Sequence, residues 1–378
     1  MLFQYIFKFR FVPLEMDALV RVRNTVNGTL YRTLVKPVCF RKDPERVHNF
    51  FIRAGKTLSS FTSLQSLVSL AFSYGHPALT QTLCGIEFKN PVGLSAGFDK
   101  NAELTEIIGA VGFGFAEVGS ITAQACSGNS GIRLKRFPKM QSLWVNLGLN
   151  NRGVKEIVHR LDRKKFSVPI GFSVAKTNCL ATTDPEEGLQ DYLASVDALE
   201  SLGDYITLNI SCPNAYGGQQ FSEPALFRKL ARAIHQRHLK KPVFVKLSPD
   251  LGAETIRQII SIAREYQISG FICTNLTKKH SMKKGGLSGK FVEPAANKLL
   301  RNVYAQTQGE FVLIGAGGIF SAKDAYTKIK LGANLVQLIT GMIYQGPQLI
   351  SEINQGLVRL LQKDGYTHIS QAVGVDVK

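Results

Sequence analysis

The chain has 378 residues, 44% of them hydrophobic, and its 46 Lys and Arg exceed its 28 Asp and Glu to give a net charge of +18. This apolar content excludes an intrinsically disordered chain, and the length suits one α/β barrel of about 250 residues plus an extension. The charge favours anionic partners, which are nucleic acid, an acidic membrane surface or phosphorylated small molecules.

The positive charge is concentrated in two segments. Residues 1–56 hold 11 Lys and Arg against 4 Asp and Glu, and residues 133–165 hold 10 against 2. The six cysteines show no CxxC and no cysteine–histidine spacing suited to zinc. They are therefore expected to be free thiols of a reducing compartment, and no metal site is expected.

The N-terminal part is predicted to be helical. Its apolar start contains Lys8 and Arg10 and lacks a small-residue cleavage site, so neither a secretory signal nor a transmembrane helix is expected. Asp-Pro-Glu predicts the beginning of a helix over 43–54, and apolar residues at three- and four-residue steps predict a second helix within 57–86. In this basic setting the two helices are interpreted as lying on a lipid surface; the alternative is a hairpin packed on the main domain.

From residue 90 onward, short apolar runs alternate with amphipathic stretches. Helices are predicted at 189–202, 255–266 and 322–331, and strands at 92–96, 114–119, 170–175, 205–210, 243–247, 270–274, 311–315 and 335–339. Eight such repeats predict a (β/α)8 TIM barrel with a short N-terminal helical extension, in which the carboxyl ends of all strands meet at one mouth. A doubly wound open sheet gives a similar pattern and remains the alternative.

Two strand ends carry the most specific residues. The stretch LNISCPNAYGG places two amides and a hydroxyl beside the thiol of Cys212. This pattern indicates either a chemical site or a turn rich in Asn and Pro. IGAGGIFSAKDA and QLITGM follow the last two predicted strands, where barrels usually hold phosphate. A phosphate-bearing ligand is therefore expected there.

Several motifs in a fixed order connect the chain to a known family. They are NPVGLSAGFDKN, GFGFAEVGSIT, NISCPN, VKLSPD, CTN, GGLSGK and IGAGGIFSAKDA. Together they resemble the dihydroorotate dehydrogenases, and the amphipathic start with DPERVH resembles the membrane-associated, quinone-reducing class. The resemblance implies an FMN-containing barrel that oxidises dihydroorotate to orotate in pyrimidine (UMP) biosynthesis, with a quinone as electron acceptor. It also implies a peripheral protein of a bacterial or mitochondrial inner membrane, with no nucleic acid partner.

The resemblance implies roles for single residues, and Cys212 matches the catalytic base. Positions that match FMN contacts are Ala96, Gly97, Ser120, Ser173, Asn209, Lys246, Thr274, Gly289, Gly318, Ile339 and Thr340. Positions that match substrate contacts are Lys100, Asn146, Asn209, Asn214 and Asn275. His48 and Arg136 match positions near the quinone passage. The expected reaction requires such groups. A base must remove the proton from the carbon beside a carbonyl, and ammonium groups stabilise the substrate carboxylate and the reduced flavin ring.

The chain departs from the pattern of the membrane-associated class. Cys212 replaces a serine, and cysteine is typical of the soluble class that uses fumarate or nicotinamide acceptors; a thiol with a pKa of about 8.5 is the better base. Val145 stands at the gapless match to a substrate-binding asparagine, with Asn146 one place later. Ser173 replaces a flavin-contacting asparagine, Leu276 a substrate-side threonine, and Ile339 a tyrosine beside the quinone passage. These changes leave the substrate and the acceptor open.

The expected division is an extension over 1–77 for membrane association and quinone access, an FMN-binding barrel over 78–362 and a tail over 363–378. A reductase like the tRNA dihydrouridine synthases also places a cysteine at such a strand end and suits the positive charge. Against it, those enzymes present histidine and arginine where this chain has Thr274-Asn275-Leu276. A related flavoenzyme with another substrate or acceptor and a non-catalytic membrane scaffold are the remaining alternatives; the retained Lys100, Lys246 and Cys212 argue against the scaffold.

Overall fold

The computed structural model describes residues 13–377, so the expectations for the apolar start with Lys8 and Arg10 lie outside the described residues. The N-terminal part consists of α1, Pro13–Leu30, a π-helical turn, Tyr31–Val35, α2, Lys36–Phe40, α3, Pro44–Ser59, and α4, Thr62–Phe72. Asp43 caps α3 by accepting a hydrogen bond from the backbone N–H of Arg46 at 2.9 Å. The two helices predicted here are confirmed as α3 and α4. None of the helices within 13–377 is long and apolar enough to cross a membrane.

Polar contacts hold α1, which the sequence analysis does not predict, against the barrel. Arg23 and the buried Asn24 both donate to the hydroxyl of Ser351, at 2.7 and 3.1 Å. Asn27 donates to the backbone oxygen of Ala71 at 2.8 Å. Because the inward positions of α1 are Arg and Asn, a search for apolar periodicity does not find this helix.

Eight parallel strands form a closed barrel, which confirms the predicted TIM barrel and excludes the open sheet. The strands of the described part are β1, Gln81–Leu83, β2, Ile86–Phe88, β3, Val92–Leu94, β4, Phe115–Ile121, β5, Leu134–Phe137, β6, Ser142–Val145, β7, Ile170–Val174, β8, Tyr205–Leu208, β9, Val243–Leu247, β10, Gly270–Cys273, β11, Gly286–Leu287, β12, Val312–Ala316, and β13, Leu335–Leu338. The barrel order is β10-β12-β13-β3-β4-β7-β8-β9. All eight predicted strands are therefore confirmed as barrel strands.

Helices surround the barrel. They are α5, Val154–Leu161, α6, Pro185–Leu199, α7, Pro224–His235, α8, Ala253–Glu265, α9, Glu293–Thr307, α10, Ala322–Lys330, α11, Thr340–Gln345, and α12, Leu349–Lys363. The predicted helices at 189–202, 255–266 and 322–331 are confirmed as α6, α8 and α10. α6 begins earlier than predicted because Asp184 caps it and Pro185 occupies its first turn.

The interior of the barrel is apolar at one end and polar at the other. Near the amino ends of the strands, Phe115, Tyr205 and Phe244 belong to a buried apolar cluster. The β1–β2 hairpin adds Phe88 to this cluster, with its ring centroid 5.3 Å from that of Phe115. Since this end is filled by aromatic rings, a ligand site is left to the carboxyl ends of the strands, where a small sheet of β11, β6 and β5 lies.

Candidate functional site

A cavity of about 590 Å³ reaches from the mouth of the barrel to the inner faces of α3 and α4. Its volume lies within the range of about 300–1,000 Å³ that is usual for small-molecule sites. At the barrel end the lining includes charged and amide side chains, such as Lys246 and Asn275. Between the helices it is apolar, with Phe51 of α3 and Val68 and Phe72 of α4. One cavity thus joins a polar floor at the barrel mouth to an apolar passage between α3 and α4.

Most of the predicted site residues line this cavity. They are Cys212, Ala96, Gly97, Ser120, Asn209, Lys246, Thr274, Gly289, Gly318, Ile339, Thr340, Lys100, Asn214 and Asn275. The three positions at which the chain departs from the family pattern without a polar replacement, Val145, Leu276 and Ile339, also lie on the wall. The fold therefore brings together side chains from nearly every strand end.

Two of the predicted residues, Ser173 and Asn146, do not line the cavity. Ser173 is fully buried behind Ser120, with 2.9 Å between their hydroxyl oxygens. The Asn146 side chain accepts a hydrogen bond from Asn129 Nδ2 at 2.9 Å, away from the cavity. Because successive residues of an extended strand point to opposite sides, placing Val145 on the wall turns Asn146 outward.

The loop that carries Cys212 is organised by short polar contacts. The Asn209 side chain donates to Ser120 Oγ at 2.7 Å and accepts from Ser211 Oγ at 3.1 Å. Asn275 Nδ2 donates to the same Ser211 hydroxyl at 3.1 Å. The stretch is thus a tight turn and a gathering of candidate site residues at the same time, so the two interpretations of it are compatible.

The Cys212 thiol does not have the ordinary pKa that the sequence argument uses. Burial raises the pKa of Cys212 to about 11, whereas the backbone N–H of Asn214 and the ammonium groups of Lys176 and Lys246 oppose this rise. The reference value of about 8.5 therefore does not apply to this thiol, because the thiol loses hydration at the barrel mouth. With a pKa of about 11 the thiol is protonated at neutral pH.

Lys100 is a second titratable group at the mouth of the barrel. Burial lowers the pKa of Lys100 to about 8, and the carboxylate of Glu45 opposes this effect. Its Nζ lies 3.4 Å from Nε2 of His48, a residue of α3. Burial and the neighbouring Lys100 charge lower the pKa of His48 to about 3, so the imidazole is neutral at physiological pH. Because burial removes water from around the ammonium of Lys100, a bound anion would stabilise its charge.

Lys246 has a buried partner that the sequence analysis does not identify. Its Nζ lies 3.6 Å from Oε1 of Glu117, and both side chains are almost completely shielded from solvent. Glu117 also accepts hydrogen bonds from Thr207 and Gln337 inside the barrel. The signal was one acidic residue in the otherwise apolar strand GFGFAEVGS, which a search for strand ends passes over.

Two glycines on the cavity wall allow neighbouring segments of the chain to approach closely. Gly289 and Gly318 have φ values of 78° and 81°, a region that side chains rarely adopt. A Cβ at Gly318 would lie 2.3 Å from that of Glu293, and one at Gly289 would lie 2.3 Å from the backbone oxygen of Gln141. Nothing larger than glycine fits at either position, and both glycines line the cavity, so their backbone is accessible to a ligand such as a phosphate.

Asparagine side chains outside the cavity hold the Cys212 loop, and the sequence analysis misses them. Asn129 Nδ2 donates to the backbone oxygen of Asn214 at 3.1 Å. Asn178 Nδ2 donates to Asn129 Oδ1 at 3.2 Å, and its own Oδ1 accepts from the N–H of Tyr216 at 2.7 Å. Lys176 Nζ donates to the backbone oxygen of Tyr216 at 2.7 Å. No sequence spacing reveals this clamp, because its members come from two separate loops and hold a third.

The passage between the helices contains both residues assigned to it by resemblance, His48 and Arg136. The Arg136 guanidinium lies 4.8 Å from the ring centroid of Phe40 and donates to the backbone oxygen of Lys42 at 2.9 Å. Burial lowers the pKa of Arg136, although the Cys39 thiol opposes this effect. A cation stacked on an aromatic ring therefore borders an otherwise apolar channel.

Residues 78–361 match the family described as Dihydroorotate dehydrogenase. A dihydroorotate dehydrogenase (quinone) of Trichormus variabilis is 36% identical, with 92% of this chain and 99% of the relative covered. The enzyme of the same name from Crocosphaera subtropica is 40% identical, with 81% and 85% covered. The similarity therefore extends over the barrel and most of the helical extension.

The fold comparison agrees with the sequence comparison. The crystal structure of DHODH in complex with ferulenol from Eimeria tenella matches with a TM-score of 0.75 and 28% identity, covering 88% of this chain and 96% of that one. The ligand-free crystal structure from the same organism matches with a TM-score of 0.76 and 28% identity, covering 86% and 99%.

Proposed function

This chain belongs to the dihydroorotate dehydrogenase family, and on that premise we propose that it oxidises dihydroorotate to orotate in pyrimidine biosynthesis and passes the electrons to a quinone. One observation carries the proposal: Cys212, Lys100 and Lys246, which are far apart in the sequence, line a single cavity at the barrel mouth. The relatives named as quinone enzymes, which match most of the chain, support the choice of acceptor.

The side chains at the polar floor of the cavity suggest their roles in the proposed reaction. Cys212 removes the proton from the substrate carbon beside a carbonyl, and the ammonium of Lys100 binds the substrate carboxylate. Asn214 Oδ1 is buried without a hydrogen-bond partner among the described residues. An unpaired buried acceptor costs free energy, so a ring N–H of the substrate is a fitting donor for it. Asn275 and Asn209 supply further amide groups on the same wall.

Members of the family depend on a flavin, and we propose FMN for this chain. The residues fit it, because glycine backbone at Gly289 and Gly318 suits a phosphate and Lys246 suits the negative charge of a reduced ring. Bound FMN would accept the hydride of the substrate and supply electrons to the quinone. Ala96, Gly97, Ser120, Thr274 and Thr340 complete the proposed binding wall.

We propose that residues 1–77 contact a membrane and admit the quinone, that 78–362 form the FMN-binding barrel and that 363–378 are a tail. Quinone-dependent relatives are membrane-associated in general, and the apolar passage opens between α3 and α4. Phe50, Leu67 and Leu70 are exposed by 63%, 61% and 68% on these helices. Such side chains beside basic residues suit peripheral binding to an anionic inner-membrane surface.

The departures at Val145 and Leu276 favour testing dihydroorotate against other substrates. Both side chains are apolar and lie on the cavity wall, where the family pattern has an asparagine and a threonine. The backbone oxygen of Val145 accepts a hydrogen bond from Asn214 at 3.1 Å, so this position still orders the loop. The RNA-reducing alternative is not retained, because the family match covers the whole barrel.

The deciding experiment is anaerobic reduction of the purified protein. We expect a yellow protein whose flavin absorbance is bleached by dihydroorotate and restored by a quinone. A Cys212→Ala variant, with the same flavin content, is the matched control and should bleach far more slowly. A protein that binds flavin but is bleached by NADPH and not by dihydroorotate would contradict the proposal, and reoxidation by fumarate but not by quinone would contradict the acceptor.

A further inference from the structure

Glu117 is a buried carboxylate to which the proposed reaction gives no role. Its Oε2 accepts hydrogen bonds from Thr207 Oγ1 at 3.0 Å and from Gln337 Nε2 at 3.3 Å. Its Oε1 has no hydrogen-bond partner among the described residues and is the atom that lies 3.6 Å from Lys246 Nζ. Burying a carboxylate costs free energy unless charge or hydrogen bonds compensate it. The unpaired oxygen that faces Lys246 therefore calls for a function.

Lys246 approaches Glu117 from across the barrel. Glu117 lies on β4 and Lys246 on β9, and β7 and β8 separate these strands in the barrel. Lys246 lines the cavity, whereas Glu117 does not, so the carboxylate lies beneath the cavity floor. At 3.6 Å the two groups attract each other as charges without a tight hydrogen bond. The ammonium therefore keeps donors available for a group bound above it.

We propose that Glu117 is a positioning residue that holds the Lys246 ammonium at the cavity floor and offsets its charge, so that the pair sets the reduction potential of the bound flavin. This inference rests on the proposed flavin chemistry. With both groups charged, their sum is neutral, and the reduced flavin gains less stabilisation than from an isolated ammonium. The competing interpretation is a structural carboxylate, satisfied by Thr207 and Gln337, that the flavin does not sense.

Two matched variants of the holoenzyme separate these interpretations. Glu117→Gln keeps the shape of the side chain and removes its charge, whereas Thr207→Val removes one hydrogen bond to the carboxylate and keeps the charge. The midpoint potential of the flavin is measured by spectroelectrochemical titration with a chemical reductant at several pH values.

The direction of the expected change in flavin potential follows from the charge that is removed. Glu117→Gln should favour the reduced flavin about tenfold near pH 6, a shift of about +30 mV for a two-electron couple. The midpoint potential of the flavin in Thr207→Val should equal that of the wild type. Equal potentials for Glu117→Gln and the wild type at every pH, or an equal shift in Thr207→Val, would overturn the proposal.

A second pair of variants keeps the test decisive if Glu117→Gln does not retain flavin. Lys246→Met leaves the carboxylate uncompensated and should lower the potential, whereas the double variant Lys246→Met with Glu117→Gln removes both charges and should bring it back towards the wild-type value. Identical potentials in the single and double variants would refute the pairing. Because a chemical reductant is used, failure of dihydroorotate to bleach the flavin would contradict only the proposed function.

Discussion

Lys100 Nζ and His48 Nε2 lie 3.4 Å apart, so a barrel residue and a residue of α3 share one polar contact at the cavity. The neutral imidazole is an acceptor for the ammonium and not a competing charge, because burial keeps the pKa of His48 at about 3. The contact links the two halves of the cavity, one expected to hold substrate and the other expected to admit a quinone.

Binding of orotate should weaken as pH rises through about 8. Burial lowers the pKa of Lys100 to about 8, so the side chain is a cation below this pH and neutral above it. Only the cation attracts the carboxylate, and the dissociation constant should rise about tenfold per pH unit above the pKa. Isothermal titration calorimetry at pH values below and above the pKa of Lys100 measures this dissociation constant. Lys100→Met should bind weakly at every pH, whereas His48→Gln should keep the wild-type midpoint; a flat wild-type profile would contradict the assignment.

Replacing Cys212 should separate its role as a base from its role in packing. We expect Cys212→Ala to slow flavin reduction by dihydroorotate by about 10²–10⁴-fold, the usual contribution of a general base. In the wild type, the rate should rise with pH, because burial raises the pKa of the thiol to about 11 and only the thiolate accepts a proton. Cys212→Ser should retain measurable activity with a different pH profile. Stopped-flow absorbance measures all three, and equal rates for the wild type and Cys212→Ala would exclude Cys212 as the base.

The barrel could be predicted because each of its strands is a short apolar run followed by a helix. The sheet of β5, β6 and β11 could not, since these strands contain two to four residues and pair only through tertiary contact. α1 also escaped prediction, because Arg23 and Asn24 face inward and are satisfied by Ser351 of α12. Periodicity finds elements that bury apolar faces, and it misses elements held by polar contacts.

The candidate site divides in the same way. Cys212, Lys100 and Lys246 follow or end predicted strands, so a barrel topology alone brings them to one mouth. Glu117 contacts Lys246, and Asn129 contacts the Cys212 loop. These contacts could not be predicted, because the partners are distant in sequence and one acidic residue in the apolar strand GFGFAEVGS does not reveal its partner. Asn146 points outward because Val145, the residue before it, faces the cavity. Sequence spacing does not define which residues of β6 face the cavity.

Removing exposed apolar side chains from the helical extension should weaken vesicle binding without affecting flavin reduction. Phe50, Leu67 and Leu70 are exposed and do not line the cavity. Each such side chain contributes about 1.5–3 kcal/mol when fully buried in an apolar phase, so replacing all three with Ser should abolish flotation with anionic vesicles. Leu180→Ser, at a position exposed by 75% on the barrel, is the control. Unchanged flotation of the triple variant would show that this surface does not anchor the protein.

Loss of Arg23 should destabilise the packing of α1. Its guanidinium donates to Ser351 Oγ at 2.7 Å and to the backbone oxygens of Leu70 and Ser73 at 2.8 and 2.9 Å. A hydrogen bond from a charged group contributes about 1.5–3 kcal/mol, so Arg23→Ala should lower the thermal midpoint of the holoenzyme by several degrees. The exposed Arg21 on the same helix is the matched control, and Arg21→Ala should stay within about 0.5 kcal/mol of the wild type. Equal midpoints for the two variants would mean that α1 is held by other contacts.

Asn129 should affect turnover through the Cys212 loop although it does not line the cavity. Its side chain donates to the backbone oxygen of Asn214 at 3.1 Å and accepts from Asn178 at 3.2 Å, so Asn129→Ala releases one side of the loop. Because a hydrogen bond of this kind contributes about 1 kcal/mol, kcat/KM for dihydroorotate should fall about fivefold while flavin content stays constant. The neighbouring exposed Ser130 provides the control, and Ser130→Ala should behave as the wild type. A fall in flavin content that matches the fall in kcat/KM would instead show that Asn129 supports the cofactor wall and not the loop.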